Sequence, residues 1–137
     1  MLLERGKLMI DVQFINKPVI EPMPGEESWR LVYDFYVQVA GLPFTVPAGF
    51  ITDGASIPRF LWRICGHPMS TSRLPIAIFH DYLYAGLQPF PRKEADQIYR
   101  DGLIKPLGFP RWKAEIEYYA LRMFGGAHWK GENQENG

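Results

Sequence analysis

The residue types best suited to acid–base chemistry stand together in the run His80-Asp81-Tyr82-Leu83-Tyr84. A histidine can transfer protons near neutral pH, and an adjacent carboxylate can hold a cation. In a helix, His80 and Tyr84 lie along one face because they are four residues apart, whereas Asp81 points to a different face. Taken alone, the run is more typical of a partly buried histidine bonded to the backbone beside a solvated aspartate.

A further carboxylate, Asp96, follows in the run Arg92–Tyr99, which begins the next predicted helix. If this helix packs antiparallel to the first, Asp96 lies near the seam and can fix the tautomer of His80. The alternative is a surface aspartate that stabilises the helix dipole from the first turn. We keep Arg92 as a further candidate site residue. Three residues are predicted to face inward from this helix: Ala95, Ile98 and Tyr99.

A loop rich in glycine and small residues spans Pro47–Pro58 and holds one carboxylate, Asp53. Glycines let backbone carbonyls and amides turn toward a ligand, which suits hard cations and phosphates. The simpler interpretation, favoured from the loop alone, is a strand-to-helix turn that Asp53 or Ser56 caps. The candidate ligand residues in this loop are Gly49, Asp53 and Gly54, with Ser56 as a further site residue.

The secondary-structure elements that must position these residues are predicted to be strands in the first half of the chain and helices in the second. Leu8–Ile15 is predicted as a strand, and Trp29–Val39 alternates strictly with period two as a half-buried strand does. A turn at Gly41–Pro43 leads into a pairing strand that begins at Phe44. About three antiparallel strands are therefore expected from the first half.

The second half is predicted to form four helices, which makes the chain a single α+β domain. The first begins at Ser56 and reaches Ile64, and the others span Leu74–Ala85, Arg92–Ile104 and Arg111–Phe124. Their starts carry prolines, and Gly86 and Gly125 are expected to end the second and the fourth. In the last helix one apolar stripe is predicted as core: Trp112, Ile116, Tyr119, Ala120 and Met123. The segment after Trp129 is predicted to fray.

Composition limits the classes of function. Of 137 residues, 47% are apolar and 15% aromatic, which supports a packed core. Acidic and basic residues number 15 each, so no overall field attracts nucleic acid. We expect no transmembrane segment, because no apolar run approaches about 18 residues. The single cysteine, Cys65, excludes an internal disulfide, and it forms no zinc spacing with His67 and His128.

Together, three motifs resemble the phage-associated domain of unknown function 1353 family: Val46–Pro58, His80–Tyr84 and Arg92–Asp96. The resemblance covers about Trp29–Gly125, with an N-terminal strand and loop in 1–28 and a tail in 126–137. That family occurs largely in tailed bacteriophages and prophages. The resemblance implies a protein made in the host cytoplasm that can be incorporated in the virion, with tail or other virion proteins as partners.

A more distant similarity links His-Asp-x-x-Tyr, followed by Ala-Asp, to phospholipase A2 domains. This similarity implies that His80 activates water and Asp81 holds calcium. It also implies that Asp96 orients His80 and that Tyr84 bonds to Asp96. The loop from Gly49 to Gly54 would complete the calcium site, and the substrate would be a lipid or another ester.

Two functions remain open at this point. The first is a metal-dependent hydrolase, possible only if both the histidine base and the cation site form. The second is a non-catalytic virion or tail assembly component, in which the same residues form a buried polar network that fixes helix packing.

Overall fold

Strands precede helices along the chain, as the α+β prediction requires. The structure is a computed structural model that describes residues 2–4, 7–25, 28–52, 66, 70, 72–86 and 88–131. The strands are β1 Leu2–Glu4, β2 Lys7–Met9, β3 Val12–Phe14, β4 Ile20–Pro22, β5 Trp29–Leu31, β6 Phe35–Val39, β7 Leu42–Val46 and β8 Ile51–Thr52. The helices are α1 Leu74–Tyr84, α2 Arg92–Ile104 and α3 Arg111–Phe124, followed by a 3₁₀ helix over Gly125–His128.

All strand pairs within the described residues are antiparallel. Strands β3, β6 and β7 form one sheet in that order, β4, β5 and β8 form a second, and β1 pairs with β2. A tight hairpin joins β6 to β7 at Ala40 and Gly41, whose φ angles of 51° and 82° are those of a type I′ turn. The turn therefore precedes the predicted one, and Leu42 and Pro43 already belong to β7.

The prediction of one continuous strand over Trp29–Val39 is wrong. The chain leaves one sheet after Leu31 and enters the other at Phe35, and Tyr33 between them is 66% exposed. The Asn16 side chain holds this corner, since its amide donates to the Asp34 carbonyl and its oxygen accepts from the Tyr36 amide. Period-two alternation continues through the corner, so the sequence pattern does not reveal it.

The predicted strand Leu8–Ile15 is also divided. Strand β2 ends at Met9 and β3 begins at Val12, with Ile10 and Asp11 between them. The Ile10 amide, between the two strands, donates to the Asp101 carboxylate on α2 over 2.9 Å. This hydrogen bond ties the strand-rich half to the helical half.

The helix boundaries agree closely with the prediction. Helices α2 and α3 have the predicted ends, and α1 ends one residue early, before Gly86 with its φ of 81°. The predicted helix that begins at Ser56 lies outside the described residues. Among the described residues, no helix is both long and apolar enough to cross a bilayer.

The predicted core face of α3 is wrong. Trp112, Ile116, Tyr119 and Met123 are exposed, and only Ala120 of the predicted stripe is buried. The helix turns its opposite face inward. That face carries one charged residue, Glu117, beside Ala114, Tyr118 and Leu121. The core that Ala114 and Leu121 join combines the inward residues of β6 and the apolar faces of α1 and α2.

Candidate functional site

His80 and Asp96 meet between α1 and α2. The His80 Nε2 atom lies 2.8 Å from Asp96 Oδ1, and both side chains are buried. Helix α1 is buried on most of its surface, so its one histidine points into the interior rather than into solvent. The contact between Asp96 and His80 that antiparallel helices were expected to allow is present.

Tyr84 completes the same contact. Its hydroxyl donates to Asp96 Oδ1 over 2.6 Å, and its ring centre lies 4.2 Å from that of His80. Gly125 allows this placement, because a Cβ atom there would stand 2.8 Å from the Tyr84 hydroxyl. Trp129 packs edge-on against the Tyr84 ring, and the Lys130 amide donates to the Tyr84 carbonyl.

Two arginines neutralise Asp96 from its other oxygen. Arg122 on α3 donates to Asp96 Oδ2 over 2.8 Å, and Arg92 forms an ion pair with the same oxygen at 3.7 Å. Arg92 also donates to the carbonyls of Leu121 and Arg122 near the end of α3. We call His80, Tyr84, Arg92, Asp96 and Arg122 the Asp96 cluster.

The electrostatics of the Asp96 cluster follow from these bonds. Burial alone would raise the pKa of Asp96, but hydrogen bonds from His80, Tyr84 and Arg122 and the His80 charge together lower it below its ordinary value. Burial and the Asp96 charge raise the pKa of the Tyr84 phenol far above its ordinary value. At neutral pH Asp96 is therefore an ionised acceptor, and Tyr84 is a neutral donor.

A second buried polar group adjoins the Asp96 cluster and was not predicted. Arg73, just before α1, forms an ion pair with Glu117 on α3, and Tyr99 on α2 donates to Glu117 over 2.6 Å. The Tyr99 ring stands edge-on to His80 at 5.1 Å and so links the two groups. Burial and the Glu117 charge raise the pKa of Tyr99 well above its ordinary value.

Arg122 and Glu117 were missed because a polar residue on an amphipathic helix is normally assigned to the solvent face. One signal points to them. Ala114, Tyr118 and Leu121 are spaced four and three residues apart, which defines a second stripe of helical period on α3. Glu117 and Arg122 are the sequence neighbours of Tyr118 and Leu121 in this stripe. That stripe is less apolar than the exposed one, so hydrophobicity alone selects the wrong face.

Asp81 is separate from the Asp96 cluster and faces the strand-rich half. Its carboxylate accepts a hydrogen bond from the hydroxyl of Thr52 in β8. Gly49, with a φ of 93°, lies in the turn before β8. The predicted loop residues Asp53, Gly54 and Ser56 lie outside the described residues, as do Cys65 and His67. In the part of the chain that the structure describes, no group of three or more His, Cys, Asp or Glu residues could hold a metal ion.

Comparison with known proteins identifies relatives of the chain. The uncharacterized protein y4jT of Sinorhizobium fredii is 33% identical over 85 residues, which are 62% of this chain and 25% of that protein. The uncharacterized protein y4iH of the same organism is 31% identical over 105 residues, which are 75% of this chain and 43% of that protein. The chain thus spans less than half the length of these curated relatives. No solved structure matches it. A family model described as "Protein of unknown function (DUF1353)" matches residues 29–121, and the chain therefore belongs to this family.

Proposed function

We propose that this domain is a hydrolase in which His80 is the general base and Asp96 is its positioning residue. The observation that supports the proposal is the buried hydrogen bond between His80 Nε2 and Asp96 Oδ1 at 2.8 Å. A histidine held by a carboxylate on one nitrogen can accept a proton on the other, which is the arrangement of several hydrolases.

The hydrogen bonds to Asp96 indicate which ring nitrogen of His80 carries the proton. Ionised Asp96 can only accept, and its Oδ1 atom already accepts from Tyr84, so we assign a proton to His80 Nε2. Neutral His80 then carries its lone pair on Nδ1. In the proposed reaction Nδ1 takes a proton from water while the water oxygen bonds to an ester carbonyl carbon. Collapse of the tetrahedral adduct breaks the bond to the alcohol oxygen, which receives the proton from His80.

Asp81 is the proposed ligand of a divalent cation, with calcium as the first candidate. The Asp81 carboxylate on α1 and the Thr52 hydroxyl, which lies within the glycine-rich segment Pro47–Pro58, provide hard oxygen atoms. Gly49 precedes them, and Asp53 and Gly54 directly follow Thr52 in sequence. A cation bound there would polarise an ester carbonyl and stabilise its oxyanion. The substrate class that this chemistry suits is a lipid or another carboxylic ester.

Cation binding is tested by thermal unfolding of chain freed of metal with EDTA and then titrated with calcium, magnesium, manganese or zinc. A ligand that binds only the folded state stabilises it by about 2.7 kcal/mol at about a hundredfold excess over its Kd. We expect calcium to raise the Tm by several degrees in wild type and not in Asp81→Asn. Asp11→Asn, an exposed aspartate on the strand side, is the matched control and should keep the shift. An equal shift in Asp81→Asn would refute the cation site.

Catalysis is tested separately by release of fatty acid from phospholipid vesicles and of a chromophore from a soluble ester. His80→Gln should abolish release, and His128→Gln, which changes an exposed histidine, should leave it intact. Activity that survives His80→Gln would exclude His80 as the base.

A second candidate function is a non-catalytic bacteriophage virion or tail component. The observation that favours it is burial, since His80 is only 2% exposed and Asp96 and Glu117 are fully enclosed. A buried polar network of this kind can fix the packing of α1, α2 and α3 without catalysis. This function predicts that His80→Ala destabilises the fold with no dependence on cations, and that mass spectrometry detects the chain in purified phage particles. Absence from particles, together with cation-dependent ester hydrolysis, would exclude it.

A further inference from the structure

The outer face of α3 carries four large apolar side chains in one continuous row. Trp112, Ile116, Tyr119 and Met123 are between 38% and 72% exposed. They lie opposite Ala114 and Leu121, which face the core, so the exposed row is not the margin of the buried face. We call these four residues the α3 stripe.

Such a stripe differs from the scattered apolar residues of an ordinary surface. Single exposed apolar side chains are common, but a contiguous patch of large ones typically marks an interaction site. The α3 stripe extends over three helical turns and includes two aromatic residues. The Tyr119 ring is also held edge-on by Tyr118 at 5.2 Å, which limits the entropy that it would lose on binding.

The spacing of the α3 stripe indicates what covers it. The gaps between its members are four, three and four residues, a pattern that reads the same in both directions. Two copies of α3 that meet antiparallel about a twofold axis therefore align the whole stripe. Trp112 then lies opposite the second copy's Met123, and Ile116 lies opposite the second copy's Tyr119. We propose that the chain forms a twofold-symmetric homodimer through the α3 stripe.

Area and charge are consistent with this partner. Aromatic side chains such as Trp112 and Tyr119 each bury about 150–250 Å², and with Ile116 and Met123 the exposed parts of the α3 stripe amount to roughly 500 Å² per copy. Two copies would bury about 1,000 Å² from the stripe alone, which is the size at which specific interfaces begin. The formal net charge of the chain is zero, so two copies do not repel one another at long range.

Sedimentation velocity tests the proposal over concentrations from about 1 to 100 μM. The wild-type chain should rise from 15.8 kDa to twice that mass. Trp112→Glu and Met123→Lys should each remain monomeric, because each places a charge in the apolar contact. Both positions are exposed, so circular dichroism should remain native. Leu42→Glu, at an equally exposed apolar position on β7, is the matched control and should still dimerise.

A mixing experiment tests the antiparallel register. When Trp112→Glu chains are mixed with Met123→Lys chains, opposite charges face each other at one end of the interface while the native pair remains at the other. We therefore expect a dimer in the mixture that neither variant forms alone. A wild-type chain that stays monomeric, a dimer unaffected by the stripe variants, an assembly larger than two copies, or no association on mixing would each overturn the proposal.

Discussion

At the scale of single residues, Asp96 is the group that holds the helical half together. One buried carboxylate accepts from His80 and Tyr84 at one oxygen and from Arg122 at the other, with Arg92 nearby. A buried charge is tolerated only when its hydrogen-bonding capacity is filled in this way. Each of its three main partners lies on α1 or α3, so the single side chain of Asp96 connects α1, α2 and α3.

The first prediction concerns Asp96→Asn, which preserves shape and removes the charge. Arg92 and Arg122, which are almost enclosed, would then lack their counter-charge, and we expect the free energy of unfolding to fall by about 3 kcal/mol. Chemical denaturation measures this loss. Asp11→Asn, on an exposed side chain, should change stability by less than about 0.5 kcal/mol. Equal effects of the two variants would contradict the role of Asp96 as the central acceptor.

Part of the Asp96 cluster could be predicted from the sequence. His80, Tyr84 and Asp96 have chemically distinctive types, and helical spacing places them on facing surfaces. Arg122 could not be predicted, because its position depends on the face that α3 turns inward. That face is selected by three-dimensional packing, which no local pattern of charges reveals.

At the scale of elements, helices were more predictable than strands. Pro91, Pro106 and Gly86 mark helix boundaries by local backbone chemistry, which acts within a few residues. The corner around Tyr33 depends instead on Asn16, far away in sequence, which bonds to the backbone on either side of Phe35. A strand break of this kind is fixed by distant contacts and leaves the alternation of side chains intact.

The second prediction tests the close packing of α1 against α2. A Cβ atom at Gly102 would stand 2.6 Å from Ile76 Cδ1, in the buried seam between the helices. Gly102→Ala gains about 1 kcal/mol in helix propensity but loses about 1–3 kcal/mol to overpacking, so we expect net destabilisation.

A double-mutant cycle identifies the cause of that loss. Ile76→Val removes the nearest methyl group, so Gly102→Ala should cost less in this background than in wild type. Ile78→Val, at an equally buried isoleucine of α1, is the matched control and should leave the cost of Gly102→Ala unchanged. A stabilising Gly102→Ala in wild type would show that Ile76 makes room for the added methyl group without loss, and would contradict the overpacking.

At the scale of the whole molecule, the helical half encloses ionised and neutral groups side by side. Asp96 and Glu117 are buried opposite arginines, while Tyr84 and Tyr99 donate to them as neutral phenols. The tyrosines can donate only while protonated, and the carboxylate of Asp96 can accept fully only while ionised. The fold therefore depends on both protonation states at once, so its stability should fall at low pH and also at high pH.

The third prediction is the resulting pH profile of stability. The lowered pKa of Asp96 contributes stability above its ordinary pKa of about 3.9, and this is lost as the pH falls through the lower folded value. The raised pKa values of Tyr84 and Tyr99 contribute stability that is lost as the pH rises above about 10. Asp96→Asn should therefore flatten the acid limb of denaturation midpoints, and it should also weaken the alkaline limb, because the Asp96 charge helps to raise the pKa of Tyr84. Tyr99→Phe should flatten the alkaline limb and leave the acid limb unchanged. Tyr33→Phe, at an exposed phenol, should leave both limbs unchanged. An alkaline limb that keeps its full slope when Tyr84→Phe and Tyr99→Phe are combined in one chain would show that these buried phenols do not control it.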